Sequence, residues 1–139
     1  MEKRYYFDTS IWLDLFENRD EPNRPKGKQI RDLVKKIIQE NDIILFSDQN
    51  FVELNDLGYP VWEIKNRLGE LEMMILFIEA TKKETSKARD LSKKRGVPRG
   101  DAVHALLARR YNAIFIALDR DFQQLLDIVS PWRPQDLTS

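Results

Sequence analysis

Residues Ile114 to Phe122 read IFIALDRDF, an apolar run that stops at a pair of aspartates. The apolar part is short enough for a fully buried strand, and Asp119 and Asp121 stand just beyond its end. A carboxylate at the end of a buried strand is costly unless something compensates it. In an open α/β sheet the same position is where ligands bind, outside the carboxyl ends of the strands. The stretch therefore predicts a buried strand that leads into a functional acidic position.

The N-terminus repeats this pattern. Residues Arg4 to Phe7 read RYYF and run into Asp8, which is followed by the hydroxyl residues Thr9 and Ser10. Two strands that each end at an aspartate predict one shared acidic site.

Around these strands the hydrophobic pattern alternates between helical and strand periods. The clearest helix has one apolar stripe, formed by Ile30, Leu33, Val34, Ile37 and Ile38. Further helices are predicted near residues 11–16, 51–54, 61–68, 82–95, 100–107 and 122–126. Further strands are predicted at residues 43–46 and 73–78. A polar loop is predicted at residues 18–27, and a last extended piece at Ile128 and Val129. The alternation predicts an α/β fold, a three-layer α/β/α sandwich with a mainly parallel central sheet.

The composition fits one globular domain that spans residues 1–139. Hydrophobic residues make up 42% of the chain and charged residues 33%. No apolar stretch approaches the roughly 18 residues of a membrane span, so we expect a cytoplasmic protein. The absence of cysteine excludes disulfides, thiolate zinc sites and cysteine nucleophiles, and the single histidine, His104, excludes mechanisms that need two imidazoles.

Each candidate carboxylate has an ordinary structural explanation when it is taken singly. Asp8 and Asp101 suit helix caps, and Asp119 suits a cap for the helix that follows its strand. Glu53 suits the solvent face of an amphipathic helix. In a parallel sheet, however, all four lie at the edge where strands end and helices begin. Carboxylates gathered there repel one another unless a cation lies among them, and oxygen ligands with no His or Cys nearby favour Mg²⁺ or Mn²⁺ over Zn²⁺.

The chain resembles the PIN domain family over essentially its whole length. The resemblance rests on the order and spacing of five motifs, DTS at residues 8–10, NFVEL at 50–54, GDAVHALLA at 100–108, LDRDF at 118–122 and IVSPWRPQDL at 128–137. It implies a metal-dependent nuclease, usually an endoribonuclease, and many of the small, VapC-like members are toxins of toxin–antitoxin pairs. The acidic metal ligands that it implies are Asp8, Glu53, Asp101 and Asp119, with Asp121 as an accessory.

One position departs from the family pattern. PIN domains commonly carry Thr or Ser two residues before the fourth acidic position, where this chain has Ala117. The missing hydroxyl would have oriented a water or a carboxylate, so its loss predicts lower rather than abolished activity. Thr9 and Ser10 remain as hydroxyls near the site.

A basic segment precedes Asp101. Residues 82–99 carry eight basic side chains against Glu84 and Asp90. Because the net charge of the chain is zero, binding of RNA needs a local patch of this kind. A solvated helix face explains the segment equally well, and the sequence leaves both explanations open. For His104, a packed or surface histidine is favoured over a role in the site.

Two other functions fit less well. A catalytically silent PIN-fold module that binds RNA or protein would use exposed apolar residues such as Trp12, Leu13, Leu15 and Phe16 against a second copy or an antitoxin protein. Core packing explains most of these residues more simply, although we expect a homodimer. A phosphatase of the haloacid dehalogenase type needs an aspartate two residues after Asp8, where this chain has Ser10.

Overall fold

The computed structural model describes residues 2–18, 20–22 and 24–138, and in three short stretches (residues 20–21, 24 and 119) it describes the backbone alone. The strands are β1 (Arg4–Phe7), β2 (Asp20–Glu21), β3 (Arg24–Pro25), β4 (Ile43–Ser47), β5 (Ile75–Ile78) and β6 (Ile114–Ile116). The helices are α1 (Thr9–Glu17), α2 (Lys26–Gln39), α3 (Asp48–Asp56), α4 (Val61–Leu68), α5 (Lys82–Arg95) and α6 (Arg99–Arg110). Short 3₁₀ helices cover Gly69–Met74, Asp119–Leu125 and Pro134–Leu137.

Four parallel strands form the central sheet in the order β5-β4-β1-β6. β1 is one of the two inner strands, and its Tyr6 pairs with Leu45 on one side and with Phe115 on the other. Since all four strands run in one direction, their carboxyl ends meet at the same edge, and helices α1 and α3 begin there directly after β1 and β4. The predicted, mainly parallel sheet is confirmed.

Helices cover both faces of the sheet. Successive side chains of β1 point to opposite faces, so Tyr6 packs in one core with residues of α5 and α6. Tyr5 and Phe7 pack in the second core, with residues of α1, α2, α3 and α4. Most side chains of both cores are fully buried. This arrangement is the predicted three-layer α/β/α sandwich.

The apolar stripe of α2 packs largely as predicted. Its first four members are buried, whereas Ile38 is 43% exposed. Trp12 and Phe16 of α1 are also buried, so they belong to the core and offer no partner surface. Large exposed apolar side chains lie elsewhere, with Trp62 at 70% and Met73 at 88% exposure.

Two local predictions are wrong. Residues 18–27 are not simply a loop, because β2 and β3 pair there as a short antiparallel hairpin and α2 begins at Lys26. These two-residue strands are too short to show an alternating pattern. The extended piece at Ile128 and Val129 is instead a turn, in which both amides donate to the Leu125 carbonyl. The chain rejoins the sheet later, where Trp132 forms a parallel bridge with Ile116.

The segment predicted as a strand at residues 73–78 belongs to two elements. Residues Gly69–Met74 form a 3₁₀ helix, and the strand begins at Ile75 as the edge strand β5. Among the helices that the structure describes, none is long and apolar enough to cross a membrane.

Candidate metal centre

The carboxyl ends of the parallel strands border an open acidic cavity of about 430 Å³. Asp8 lines the cavity directly after β1, Glu53 lines it from α3, and Asp101 lines it from α6. Asp121 lines it from the 3₁₀ helix that follows β6. The structure therefore brings four of the predicted carboxylates together. Asp119 begins the same 3₁₀ helix, but its side chain lies outside the described part of the chain, so its place in the site stays a prediction.

Asp8 is buried at the base of this cavity. It occupies the N-cap position of α1, yet within the described residues it makes no side-chain capping hydrogen bond. Its Oδ2 instead accepts a hydrogen bond of 2.9 Å from the Ser10 hydroxyl. Burial raises the pKa of Asp8 by more than the neighbouring His104 ring and Ser10 lower it. Helix capping therefore does not account for this buried carboxylate.

Glu53 is held from two sides. Gln49, one turn earlier on α3, donates to Glu53 Oε2 at 2.9 Å, and His104 Nε2 lies 2.8 Å from Glu53 Oε1. Burial raises the pKa of Glu53, but the hydrogen bond and the charge of His104 outweigh burial and lower the pKa to about 2. The predicted solvent-facing position is thus half-buried and fully ionised at neutral pH.

Asp101 lies in the first turn of α6, where it benefits from the helix dipole. It is not the cap of that helix, because Pro98 occupies the N-cap position. Burial, and after it the negative charge of Asp8, raises the pKa of Asp101 to about 7. The carboxyl group is therefore partly protonated at neutral pH.

His104 is the site residue that the sequence does not reveal. It is wholly buried in α6, with Nε2 2.8 Å from Glu53 and 3.8 Å from Asp8 Oδ1, and with Nδ1 2.6 Å from the Tyr6 hydroxyl. Burial lowers the pKa of His104, but the hydrogen bond to Glu53 and the charge of Asp8 outweigh burial, so the net shift is upward.

The expectation that no histidine lies near the oxygen ligands is therefore wrong. The prediction of a packed histidine is correct for the burial of His104, but it does not describe the polar contacts of the ring. One sequence signal was available, since residues three apart on a helix share a face and His104 stands at that distance from Asp101. The contact with Glu53 depends on the tertiary packing of α3 against α6 and has no local signature.

Gly100 allows α6 to approach Glu53 closely. A Cβ atom built on Gly100 would lie 2.2 Å from Glu53 Oε2 and 3.0 Å from Gln49 Nε2. Real Cβ atoms do not tolerate such a distance, so any other residue at this position would displace the carboxylate. The glycine before Asp101 is thus part of the geometry of the site.

The donor set suits a divalent cation that prefers oxygen ligands. Ligand atoms of Asp8, Glu53 and His104 lie within 4.8 Å of one another, and Asp101 lines the same cavity. The raised pKa values of Asp8 and Asp101 record mainly the cost of burying these carboxylates, to which the charge of Asp8 adds at Asp101. A bound divalent cation would remove that cost.

The fold and the acidic cavity define a parallel α/β protein with a candidate metal centre at the carboxyl edge of its sheet. The family model of the PIN domain matches residues 5–126. The chain belongs to the PIN domain family. A search of curated proteins found no match to the sequence.

Solved structures of similar fold include several toxin–antitoxin proteins. VapBC2 from Rickettsia felis, bound to a DNA fragment from its promoter, is similar at a TM-score of 0.64 and 15% identity, over 91% of this chain and 96% of that one. A toxin–antitoxin complex from Klebsiella pneumoniae is similar at a TM-score of 0.58 and 18% identity, over 93% of this chain and 98% of that one. VapC20 from Mycobacterium tuberculosis, a toxin that cleaves the sarcin-ricin loop, is similar at a TM-score of 0.57 and 16% identity, over 86% of this chain and 92% of that one. At these identities the similarity establishes the fold.

The Asp101→Asn variant should be more stable than the wild type in chelator at pH 8, by about 1–3 kcal/mol once solvent screening is allowed for. The pKa of Asp101 is about 7 in the folded protein against an ordinary value of 3.8, so between these values the folded state holds a proton that the unfolded state has released. Stability therefore falls as pH rises through this range, and asparagine removes this fall. Urea denaturation at pH 4 and pH 8 measures the difference, which should be near zero at pH 4. An equal or lower stability of the variant at pH 8 would contradict the raised pKa.

The Gly100→Ala variant should lose stability, by about 1–3 kcal/mol, because its methyl group displaces the Glu53 carboxylate. In a Glu53→Ala background the same change should cost nothing or stabilise the helix by up to about 1 kcal/mol. Denaturation of the four proteins of this cycle separates the two effects. The same change in stability in both backgrounds would show that Gly100 does not adjoin Glu53.

Proposed function

We propose that this protein is a Mg²⁺- or Mn²⁺-dependent endoribonuclease whose single nuclease domain spans residues 1–139. The observation that carries the proposal is the convergence of Asp8, Glu53 and Asp101 on one cavity in a chain of the PIN domain family. Asp119 and Asp121 complete the proposed set of metal ligands. The raised pKa of Asp101 supports the proposal because perturbed carboxylates cluster at functional sites.

A bound divalent cation supplies Lewis acidity, which lowers the pKa of water and stabilises charge on a phosphodiester. The chain's own residues would bind the cation and orient the carboxylates that hold it. Ser10 fixes the Asp8 carboxylate, and Gln49 and His104 fix the Glu53 carboxylate. Asp101 gives up its proton when a cation binds, since its pKa lies near neutrality. With water rather than the ribose hydroxyl as the nucleophile, the products carry 5′-phosphate and 3′-hydroxyl ends.

The basic segment offers a surface for the phosphate backbone of the substrate. Its basic side chains are exposed along α5, which ends at Arg95 and is followed after three residues by α6. Arg95 itself pairs with Asp127 at 2.7 Å, so Lys93, Lys94 and Arg99 are the stronger candidates for contact with RNA. Arg99 stands directly before Gly100, which adjoins Glu53. Positive charge therefore extends to the rim of the acidic cavity, as holding a phosphate over a metal requires.

We further infer that the protein is a cytoplasmic toxin with an antitoxin protein as its partner, and that it forms a homodimer. The structures from Rickettsia felis and Klebsiella pneumoniae, which contain toxin–antitoxin complexes, support a protein partner. Exposed apolar residues such as Trp62 and Met73 support a contact surface. A silent PIN-fold binding module is the alternative, and Ala117 is the residue that favours it, since it replaces a common hydroxyl position.

Purified protein with Mn²⁺ should cleave a panel of end-labelled RNAs, and the products should carry 5′-phosphate ends. Chelator and the Asp101→Asn variant should each abolish cleavage, because chelator removes the cation and the variant removes one of its ligands. Glu40→Gln is the control for loss of one negative charge, since Glu40 is exposed at the C-cap of α2 and lies outside both the cavity lining and the basic segment. Products with 2′,3′-cyclic phosphate would exclude hydrolysis by water. A well-folded protein that binds Mn²⁺ without cleavage of RNA or DNA would favour the binding module.

Reversal of Lys93 and Lys94 to glutamate should weaken RNA binding and flatten its salt dependence, by about one unit of slope for each phosphate that is no longer neutralised. Binding is measured by fluorescence anisotropy across a series of salt concentrations. The control is Lys35→Glu with Lys65→Glu, which makes the same charge change at exposed positions of α2 and α4. If both double variants weaken binding equally, net charge and not the α5 surface governs the association.

A further inference from the structure

We propose that His104 is a positioning residue, which holds the Glu53 carboxylate in the orientation that a metal ion requires and is itself held by Tyr6. This inference rests on the proposed metal-dependent function of the cavity. It concerns a buried side chain below the carboxylates, not one of the acidic ligands themselves.

The proton on His104 Nε2 follows from its partner. Glu53 Oε1 lies 2.8 Å from Nε2, and an ionised carboxylate accepts hydrogen bonds but donates none. Nε2 must therefore carry a proton, since a bare nitrogen would place two acceptors in contact. A nitrogen that carries a proton cannot coordinate a metal ion. Although His104 lies close to Asp8 and Glu53, the geometry makes it a support for the ligand set and not a member of it.

Tyr6 fixes the other side of the ring. Its hydroxyl lies 2.6 Å from His104 Nδ1 and 2.6 Å from Ser47 Oγ. Ser47 is the N-cap of α3, where it accepts a hydrogen bond of 3.1 Å from the Asn50 amide and lies 3.1 Å from Asn50 Oδ1. Tyr6, Ser47, Asn50 and His104 are all wholly buried, where an unsatisfied polar group is costly.

Two arrangements of protons satisfy every member of this chain. With a neutral ring, Ser47 donates to Tyr6 and Tyr6 donates to His104 Nδ1. With a charged ring, Nδ1 donates to Tyr6, Tyr6 donates to Ser47, and Ser47 donates to Asn50 Oδ1. In both arrangements Nε2 donates to Glu53. The support of Glu53 is therefore independent of the charge on His104.

The hydrogen bonds also join the elements that carry the carboxylates. Tyr6 lies on β1, two residues before Asp8, Ser47 caps the helix that carries Glu53, and His104 follows Asp101 on α6. A further contact, from Asn50 Nδ2 to the Thr9 hydroxyl at 2.9 Å, ties α3 to the start of α1. A histidine that only filled space would need none of these polar partners. The network instead sets the positions of three carboxylates relative to one another.

Since His104 is the single histidine of the chain, its ring can be observed alone in a long-range ¹H–¹⁵N spectrum. The spectrum should show a protonated Nε2 in the wild type, and the Nε2–H signal should persist when Mg²⁺ is added. Loss of the Nε2 proton on addition of Mg²⁺ would make His104 a ligand and overturn the proposal. A bare Nε2 before any addition would overturn it as well. Both measurements use the wild-type protein and do not depend on the folding of a variant.

Mn²⁺ affinity, measured by calorimetry, tests the consequence for the site. His104→Leu should weaken binding about 10- to 100-fold, while His104→Gln, whose amide can donate to Glu53, should recover most of the affinity. Tyr6→Phe should weaken binding less than His104→Leu, and Tyr5→Phe, the same change on the opposite face of β1, should leave it unaltered. Denaturation of each variant shows whether it is folded.

The outcomes separate the two proposals. Wild-type affinity in folded His104→Leu would overturn the positioning role and leave the nuclease proposal intact. Equally weak binding in His104→Gln and His104→Leu would also overturn it, since the donor would then be irrelevant. A wild-type protein that neither binds Mn²⁺ nor cleaves RNA would overturn the proposed function, and this inference with it.

Discussion

The burial of carboxylates that the parallel sheet gathers at one edge is the constraint on which the rest of the structure depends. Asp8 cannot move away from this edge because β1 is an inner strand and is paired on both sides. Its burial, and the burial of Asp101 beside it, raises the pKa of both groups, to about 7 for Asp101. Such a cluster is stable either with protons or with a cation, and the two compete for the same oxygens.

Hydrogen bonds divide the carboxylates into two kinds. Glu53, which receives Gln49 on one oxygen and His104 on the other, has a pKa of about 2 and stays ionised. Asp101 is poised to exchange a proton for a cation near neutral pH. The contact of Gly100 with Glu53 brings these two groups together without a side chain between them. Backbone geometry and polar contacts thus set the charge of the site jointly.

The sequence predicts the main strands and helices of this protein better than its short hairpin, bridge and turn. Strands β1 and β4 follow from short apolar runs, and helix α2 follows from its 3.6-residue stripe. Helices α3 and α5 follow from the caps Ser47 and Thr81, and all of these are local signals. The hairpin of β2 and β3 escapes prediction because its two-residue strands are too short to show an alternating pattern. The bridge formed by Trp132 escapes prediction because it depends on pairing with Ile116, which is distant in the sequence. The apolar, β-branched pair at Ile128 and Val129 suggests a strand, but both residues lie instead in the turn that follows the 3₁₀ helix Asp119–Leu125.

The site likewise contains residues that can be predicted from the sequence and one that cannot. Acidic residues at strand ends are visible in the sequence, and the structure places Asp8, Glu53, Asp101 and Asp121 around one cavity. His104 is not visible, because its partners Tyr6 and Glu53 are brought to it only by the packing of β1, α3 and α6. A histidine within an apolar helix gives no sign of whether its ring nitrogens will meet water, a hydroxyl or a carboxylate.

The central claim is that the acidic cavity holds a divalent cation through carboxylate oxygens. Anomalous diffraction from crystals grown with Mn²⁺ tests it most directly, because the scattering locates the metal without assumptions about its ligands. We predict a peak between Asp8 and Asp101, with His104 Nε2 still bound to Glu53 and outside the coordination shell. Full occupancy at another surface, with no peak in the cavity, would contradict the account.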